Sequence, residues 1–174
     1  KMMLVEIVVG AQTEASLVPR AAAFVRQIDK LPLPVKSAPG FLVNRVLAPY
    51  LMAAMRCVDD GIAPETIDEA ALAFGMPMGP IELADTVGLD ICVAVGKLLG
   101  NEQAPPRKLM ELIAAGHLGR KSGRGFYAWV DGKAQKGAAG AVPAGLADRL
   151  VAPFVAEARA AQAEGIVADA DLVD

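Results

Sequence analysis

Few side chains in this 174-residue sequence have the types and spacing that catalysis or metal binding requires. The single histidine, His117, is the obvious candidate for a general base. It follows Gly116 at the end of a predicted helix, where a partly charged imidazole simply complements the helix dipole. Cys57 and Cys92 lie inside apolar helical patterns, which indicates buried thiols in a reducing compartment. No cluster of Cys, His and Asp has metal-binding spacing, so the sequence predicts no metal site.

Three other polar side chains stand out, and the residue pattern alone offers each an ordinary explanation. Glu6 interrupts the apolar run 3–9, as an exposed carboxylate on an edge strand would. Asn44 lies near the start of the strongest predicted helix, where an amide commonly bonds to the backbone. Lys121 lies in a basic, glycine-rich loop typical of a solvated turn. These patterns leave open whether any of the three binds a ligand.

Two further patterns imitate ligand sites. Residues 123–128 fit the spacing G-x-G-x-x-A of a dinucleotide-binding loop. No predicted strand precedes them, however, and Phe126-Tyr127 occupies the place where the helix should begin, so we reject the fingerprint. Met76 and Met78 are expected to fill gaps in the packing.

The composition favours close-packed helices over a β-sandwich or barrel. Hydrophobic residues make up 54% of the chain, alanine is abundant, and there are only five Phe, two Tyr and one Trp. The length suits one domain, or one domain with part of another. A net charge of −3 argues against nucleic acid as the main partner. The apolar stretches are shorter than the ~20 residues of a membrane span, and no signal peptide is recognisable.

Hydrophobic periodicity and the positions of Gly and Pro predict the order of the elements. The expected strands are 3–9 and an edge strand at 33–36. The expected helices are 13–28 with Thr13 as N-cap, 41–60, 64–74, 81–87, 89–99, 106–115 and 145–164. A small, polar, Gly/Ala-rich stretch at 131–144 is expected to be a linker.

The last predicted helix repeats the strongest one. The segment Arg45–Tyr50 matches Arg149–Phe154, 104 residues later, and both contain an Ala-Pro pair. Gly61-Ile62 matches Gly165-Ile166 in the same register, and after a two-residue insertion Ile67-Asp68 matches Val173-Asp174. Because proline inside a helix is costly, this match indicates a duplicated helical domain whose second copy stops after its first helix. The shared position of Arg45 and Arg149 favours structural ion pairs.

Three motifs, in order, carry a resemblance to a known family. They are Pro39-Gly-Phe-Leu-Val-Asn-Arg45, Gly75-Met-Pro-Met-Gly-Pro-Ile-Glu-Leu-Ala-Asp85 and Gly119-Arg-Lys-Ser-Gly-Arg-Gly-Phe-Tyr127. Together they resemble the C-terminal region of 3-hydroxyacyl-CoA dehydrogenase, and the tandem copy resembles the long forms such as the α-subunit of the fatty-acid β-oxidation complex. The likeness covers residues 2–129 strongly and 146–174 as the start of a second helical domain.

The resemblance implies a mainly α fold, a helical bundle like the C-terminal domain of 6-phosphogluconate dehydrogenase, with a short β/α remnant before it. Residues 1–37 would end a Rossmann domain, 38–130 would form the first helical domain, 131–144 the linker, and 145–174 the first helix of a truncated repeat. The rest of the NAD-binding domain is then expected before Lys1.

The resemblance also implies a reaction and roles for the three polar side chains. NAD would accept a hydride from C3 of an L-3-hydroxyacyl-CoA, while a His–Glu dyad removes the hydroxyl proton. Glu6, in the run Leu-Val-Glu, matches the carboxylate of the dyad, whose histidine is expected twelve residues upstream, before Lys1. Asn44 matches an amide that holds the acyl thioester and the 3-oxygen, and Lys121 matches a lysine that approaches the cofactor.

The expected protein is therefore a cytoplasmic homodimer that acts on acyl-CoA, and the 174-residue chain alone is expected to be inactive. Three alternatives remain open. One is a two-copy 3-hydroxyacyl-CoA dehydrogenase of aromatic-acid catabolism, and another is a stand-alone helical dimerisation or scaffold module. A dehydrogenase of hydroxy acids without CoA is the third, although the Leu-Val-Glu and Gly-Phe-Leu-Val-Asn-Arg motifs weigh against it.

Overall fold

The computed structural model describes residues 3–100 and 103–167, and within them the chain is mainly α-helical, as predicted. The strands are β1 (Leu4–Val9), β2 (Leu31–Lys36), β3 (Ala128–Val130) and β4 (Lys133–Gln135). The helices are α1 (Leu17–Gln27), α2 (Val43–Asp59), α3 (Pro64–Phe74), α4 (Pro80–Val87), α5 (Leu89–Leu98), α6 (Arg107–Ala114) and α7 (Leu146–Ala163). None of these helices is long and apolar enough to cross a bilayer.

The described chain divides into two compact units. Unit 1 contains the residues up to Val46 and those from Ala156 onward, and unit 2 contains residues 47–155. In unit 1, β1 and β2 pair in parallel over their full lengths, and α1 connects them. Pro32 and Pro34 lie in β2, which suits the predicted edge strand because proline cannot donate to a neighbouring strand.

Unit 2 is a helical bundle around one apolar core. α3 and α4 begin with Pro64 and Pro80, residues whose missing N–H costs nothing at the first position of a helix. Their apolar faces meet side chains of α2, α5, α6 and α7. The largest fully buried apolar side chains of this core are Tyr50, Met55, Ile67, Ile81, Leu89, Leu109 and Leu150.

The start of α1 differs from the prediction. The helix begins at Leu17 rather than directly after Thr13. The Thr13 hydroxyl accepts a hydrogen bond from the Gly10 N–H (3.0 Å), and the Thr13 N–H donates to the Gly10 carbonyl (3.1 Å). Thr13 therefore closes a turn after β1, and the prediction that it caps α1 is wrong.

The segment 131–144, which composition predicts as a linker, is held against α3. It contains β4, which pairs with β3. The Lys136 ammonium lies 2.8 Å from the Asp68 carboxylate, and the N–H groups of Gly137 and Gly140 donate to side chains of α3. A Gly/Ala-rich composition cannot reveal the contacts of Gly137 and Gly140, because their donors are backbone amides. The segment follows a fixed path over the bundle.

The two copies of the predicted internal repeat share local structure in their described parts. Each of α2 and α7 contains a proline, Pro49 and Pro153. Each is followed by a left-handed glycine, Gly61 with φ +90° and Gly165 with φ +68°. The match of Val173-Asp174 lies outside the described residues.

The repeated arginines form ion pairs, as predicted. In unit 1, Arg45 bonds to Glu157 (2.6 Å) and with two nitrogens to Glu164 (2.7 and 2.8 Å). In unit 2, Arg149 bonds to Asp60. Asp60 and Glu164 are also 104 residues apart, so they share a repeat position. Arg45 of the first copy therefore binds the acid of the second copy, and Arg149 of the second copy binds the acid of the first. The same type of ion pair occurs at both repeat positions.

The two arginines should nevertheless contribute unequally to stability. The Arg45 side chain is 15% exposed and binds two carboxylates, whereas Arg149 is 49% exposed and binds one. We expect Arg45→Ala to lower the free energy of unfolding by about 1–2 kcal/mol and Arg149→Ala by about 0.5 kcal/mol or less. Urea denaturation of both variants tests this, and equal losses would contradict it.

Candidate functional site

Glu6 lies in the middle of β1 and is half-buried. Its Oε1 accepts hydrogen bonds from the N–H groups of Leu42 (2.7 Å) and Val43 (3.2 Å). These amides begin α2, where the first N–H groups have no partner inside the helix and the macrodipole favours a negative charge. Glu6 is thus ordered by backbone donors rather than left as the solvated edge carboxylate of the simpler interpretation.

Asn44 follows these two amides in the first turn of α2, and its residue is exposed. Both of its sequence neighbours have partners: the Val43 N–H donates to Glu6, and the Arg45 side chain pairs with Glu157. An exposed primary amide on a fixed helix start can donate to a carbonyl oxygen of a ligand. The structure thus brings together two of the residues selected from sequence, Glu6 and Asn44, in unit 1.

Lys121 lies in unit 2, in a short 3-10 turn at 120–122 between β3 and α6. Its ammonium is 2.6 Å from both carboxylate oxygens of Asp90, which lies in the first turn of α5. This contact lowers the pKa of Asp90. The pair is nearly half exposed, so the ammonium remains accessible to an anionic or hydroxyl-bearing ligand.

The loop 123–128, whose spacing resembles a dinucleotide fingerprint, donates hydrogen bonds to a buried carboxylate. The N–H groups of Phe126 and Tyr127 each donate to Asp85 at 2.9 Å, and the Trp129 ring N–H donates at 3.0 Å. Asp85 is fully buried in α4, and burial raises its pKa against the effect of these donors. The Phe126 and Tyr127 amides therefore donate within the protein to Asp85 rather than lying open to a phosphate.

A second buried carboxylate, Asp68 of α3, holds the start of α4. It accepts hydrogen bonds from the Ile81 N–H and the Tyr127 hydroxyl, both at 2.8 Å. Lys136 supplies the balancing charge at 2.8 Å and lies 5.2 Å from the Tyr127 ring centre. Asp68 therefore ties three separate parts of unit 2 together.

Sequence reasoning did not single out Asp68 or Asp85. The signal was present, because each acid falls on an otherwise apolar helical face, next to Ile67 and Ala84 respectively. A carboxylate at such a position needs several donors to remain buried. Its donors are distant in sequence, so the pattern could not identify them.

The structure also shows the positions of His117 and the two cysteines, which sequence analysis did not assign to a ligand site. His117 follows α6, and its backbone N–H donates to the Leu112 carbonyl (2.9 Å). Cys57 and Cys92 are free and buried, as predicted, and burial raises the pKa of Cys92 to about 12. In the part of the chain that the structure describes, no cluster of three His, Cys, Asp or Glu could hold a metal.

Comparison with known proteins places these features in a family. The profile of the family described as 3-hydroxyacyl-CoA dehydrogenase, C-terminal domain, matches residues 40–129. A probable 3-hydroxybutyryl-CoA dehydrogenase of Deinococcus radiodurans is 42% identical over 134 residues, which are 72% of this chain and 48% of that protein. A fatty acid oxidation complex subunit alpha of Shewanella amazonensis is 38% identical over 140 residues, 78% of this chain and 20% of that subunit.

A solved structure agrees with these sequence matches. The crystal structure of (S)-3-hydroxybutyryl-CoA dehydrogenase from Ralstonia eutropha is 40% identical with a TM-score of 0.67, and the match covers 75% of this chain and 48% of that one. The chain therefore spans less than half the length of these relatives. Because the family profile covers more than half of the chain and contains two of its three motifs in full, the chain belongs to the 3-hydroxyacyl-CoA dehydrogenase family and carries its C-terminal domain.

Proposed function

We propose that this chain is the substrate-binding and dimerisation region of an NAD-dependent L-3-hydroxyacyl-CoA dehydrogenase of fatty-acid β-oxidation. The reaction removes a hydride from C3 of the substrate and a proton from its hydroxyl group, leaving a 3-ketoacyl-CoA. Membership of the family supports the reaction class. The observation that carries the proposal is the placement of Glu6 beside the helix start that bears Asn44.

The chemistry proposed for these two residues comes from the family resemblance, and their surroundings are compatible with it. Glu6 uses Oε1 for the α2 amides, and we propose that its carboxylate also orients the histidine base and stabilises the imidazolium formed when the hydroxyl proton is taken. That histidine would be supplied by residues that precede Lys1. The Asn44 amide would donate to the 3-oxygen, where negative charge develops as the ketone forms.

The chain's contribution to the NAD site would be small. NAD, when bound, supplies the hydride acceptor. Lys121 fits a contact with its phosphate or ribose groups, because the ammonium is accessible and Asp90 restrains it. The Phe126 and Tyr127 amides already donate to Asp85, so we propose that this chain contributes the Lys121 cation rather than a phosphate loop.

The proposal includes the domain arrangement, self-association and location. Residues 1–37 would end the nucleotide-binding domain, 38–130 would be the first helical domain, 131–144 the connection, and 145–174 the start of the second. In the 174-residue chain alone, Phe24 (61% exposed) and Leu31 (60%) leave apolar surface on unit 1, which favours self-association. Sedimentation showing only monomer at micromolar concentration would contradict the dimer. Buried free thiols suit the cytoplasm.

The activity is tested with the complete gene product that carries this chain. We expect NADH formation with (S)-3-hydroxybutyryl-CoA, and none from the 174-residue chain alone. Asn44→Ala should weaken binding of the product acetoacetyl-CoA about tenfold, the value of one lost hydrogen bond of roughly 1.4 kcal/mol. Gln27→Ala, an exposed amide at the end of α1, is the control and should bind normally.

The outcomes separate the alternatives. Turnover by the 174-residue chain alone would overturn the proposal that the base and most of the NAD site lie outside this chain. A complete gene product that neither binds acetoacetyl-CoA nor reduces NAD, yet self-associates, would favour the scaffold module. A preference for aromatic-derived acyl-CoA substrates would move the enzyme to aromatic-acid catabolism and leave the roles of Glu6 and Asn44 unchanged.

A further inference from the structure

The start of α2 is fixed by a residue far away in the sequence. The first turn of α2 contains no acidic residue of its own. Two of its unpaired N–H groups, those of Leu42 and Val43, instead donate to Glu6, which precedes Leu42 by 36 residues. A single carboxylate oxygen therefore determines where the helix begins relative to β1.

The turn before α2 needs such a restraint. Gly40 and Phe41 are both left-handed, with φ +74° and +53°. Glycine adopts this conformation freely, but a residue with a Cβ does so against steric strain. Strained backbone persists only where its surroundings hold it. The two amides bound to Glu6 follow Phe41 directly, so the carboxylate is placed to hold the turn in this shape.

Asn44 is the residue that gains from this restraint. It stands between Val43, fixed by Glu6, and Arg45, fixed by Glu157. The Asn44 residue itself is exposed. The backbone that carries the amide is thus held at Val43, and the next side chain, Arg45, is tied by its ion pair, while the amide stays available. Preorganisation of this kind lowers the entropy lost when a ligand is bound.

We propose that Glu6 is a positioning residue for Asn44, setting the direction of the amide through the start of α2. This role is separate from the orientation of a base. It rests on the proposed function in one respect, namely that Asn44 contacts the acyl-CoA. The proposal predicts that loss of the Glu6 carboxylate weakens binding of a 3-ketoacyl-CoA even where no proton is transferred.

The test uses the complete gene product with acetoacetyl-CoA as the probe. Glu6→Ala removes the acceptor, whereas Glu6→Gln keeps an acceptor oxygen without the charge. Two quantities are measured, hydrogen exchange in peptides covering residues 41–46 and the dissociation constant of the probe. Glu14→Ala, an exposed acid of the same unit, is the control.

We expect Glu6→Ala to accelerate exchange at the start of α2 and to weaken binding about tenfold, as Asn44→Ala does. Glu6→Gln should retain most of both properties. The double variant with Asn44→Ala should bind no more weakly than either single variant, because both act through one amide. In the Glu6→Ala background, Phe41→Gly should restore part of the affinity by removing the strain. A purely stabilising role for Glu6 would not give this coupling.

Two results would overturn the inference without affecting the proposed function. One is normal probe binding by Glu6→Ala while Asn44→Ala binds weakly, which would leave the proposed function intact. The other is additive losses in the double variant. If instead Asn44→Ala binds the probe normally, the proposed contact of Asn44 fails, whatever the exchange data give for Glu6, and the positioning role fails with it.

Discussion

Asp85→Ala is expected to lower the free energy of unfolding by about 3–5 kcal/mol. The Asp85 carboxylate is fully buried and accepts three hydrogen bonds, from the Phe126, Tyr127 and Trp129 N–H groups. Alanine leaves one buried donor, the Tyr127 N–H, and two partly buried donors without an acceptor, and a buried donor left unpaired costs roughly 1–3 kcal/mol. Far-UV circular dichroism during urea denaturation measures the loss. Glu69→Ala, an exposed acid of α3, should change stability by about 0.5 kcal/mol or less.

Asp85→Asn provides a second test of the role of Asp85 if the alanine variant does not fold. Its amide oxygen can still accept, but its NH2 group faces the remaining donors, so we expect a smaller loss than for alanine. A loss within about 0.5 kcal/mol for both variants would contradict the role assigned to Asp85.

The same carboxylate should leave a signature in the pH dependence of stability. Burial raises the pKa of Asp85, so above the ordinary value of 3.8 the folded state binds this proton more tightly than the unfolded state. Stability should therefore fall as the pH rises from about 4 through the raised pKa. Asp85→Asn lacks this proton, and the difference between the two stability curves isolates the contribution. A flat difference curve would contradict it.

Local chemistry made much of the fold predictable. The 3.6-residue period together with Pro64 and Gly75 predicts α3 at its observed bounds, because these signals act within one helix. The repeat predicts the ion pairs of Arg45 and Arg149, since a duplicated position meets the same kind of partner. The start of α1 was missed because Thr13 satisfies a turn as easily as a helix.

The candidate site shows the same difference between local signals, which the sequence carries, and long-range contacts, which it does not. Motifs select Glu6, Asn44 and Lys121, but residue types alone do not reveal that Glu6 binds the start of α2 or that Asp90 holds Lys121. Those contacts join elements far apart in the chain. A backbone amide or a surface carboxylate has no pattern of its own, so only the folded structure identifies it as a partner.

Gly119→Ala should destabilise the chain by about 3 kcal/mol or more, against about 1 kcal/mol for Gly123→Ala. Both glycines have positive φ, +92° and +75°, and both flank the turn that carries Lys121. A Cβ on Gly119 would lie 2.2 Å from the Asp85 carbonyl oxygen, whereas one on Gly123 would meet nothing within 4 Å. Comparing the two variants therefore separates the free-energy cost of the steric clash at Gly119 from the cost of placing alanine at a positive φ. Equal losses of stability in urea denaturation would contradict a close contact between Gly119 and the Asp85 carbonyl.

The Gly119 variant should also move the ion pair that the turn supports. Lys121 lowers the pKa of Asp90 through their hydrogen bond, so a displaced turn lets that pKa rise toward its ordinary value of 3.8. An acid titration of the Asp90 carboxyl by NMR should show this rise in Gly119→Ala and not in Gly123→Ala. If Asp90 titrates alike in both variants, the backbone of α4 does not set the position of Lys121. The accessible ammonium would then owe its placement to Asp90 alone.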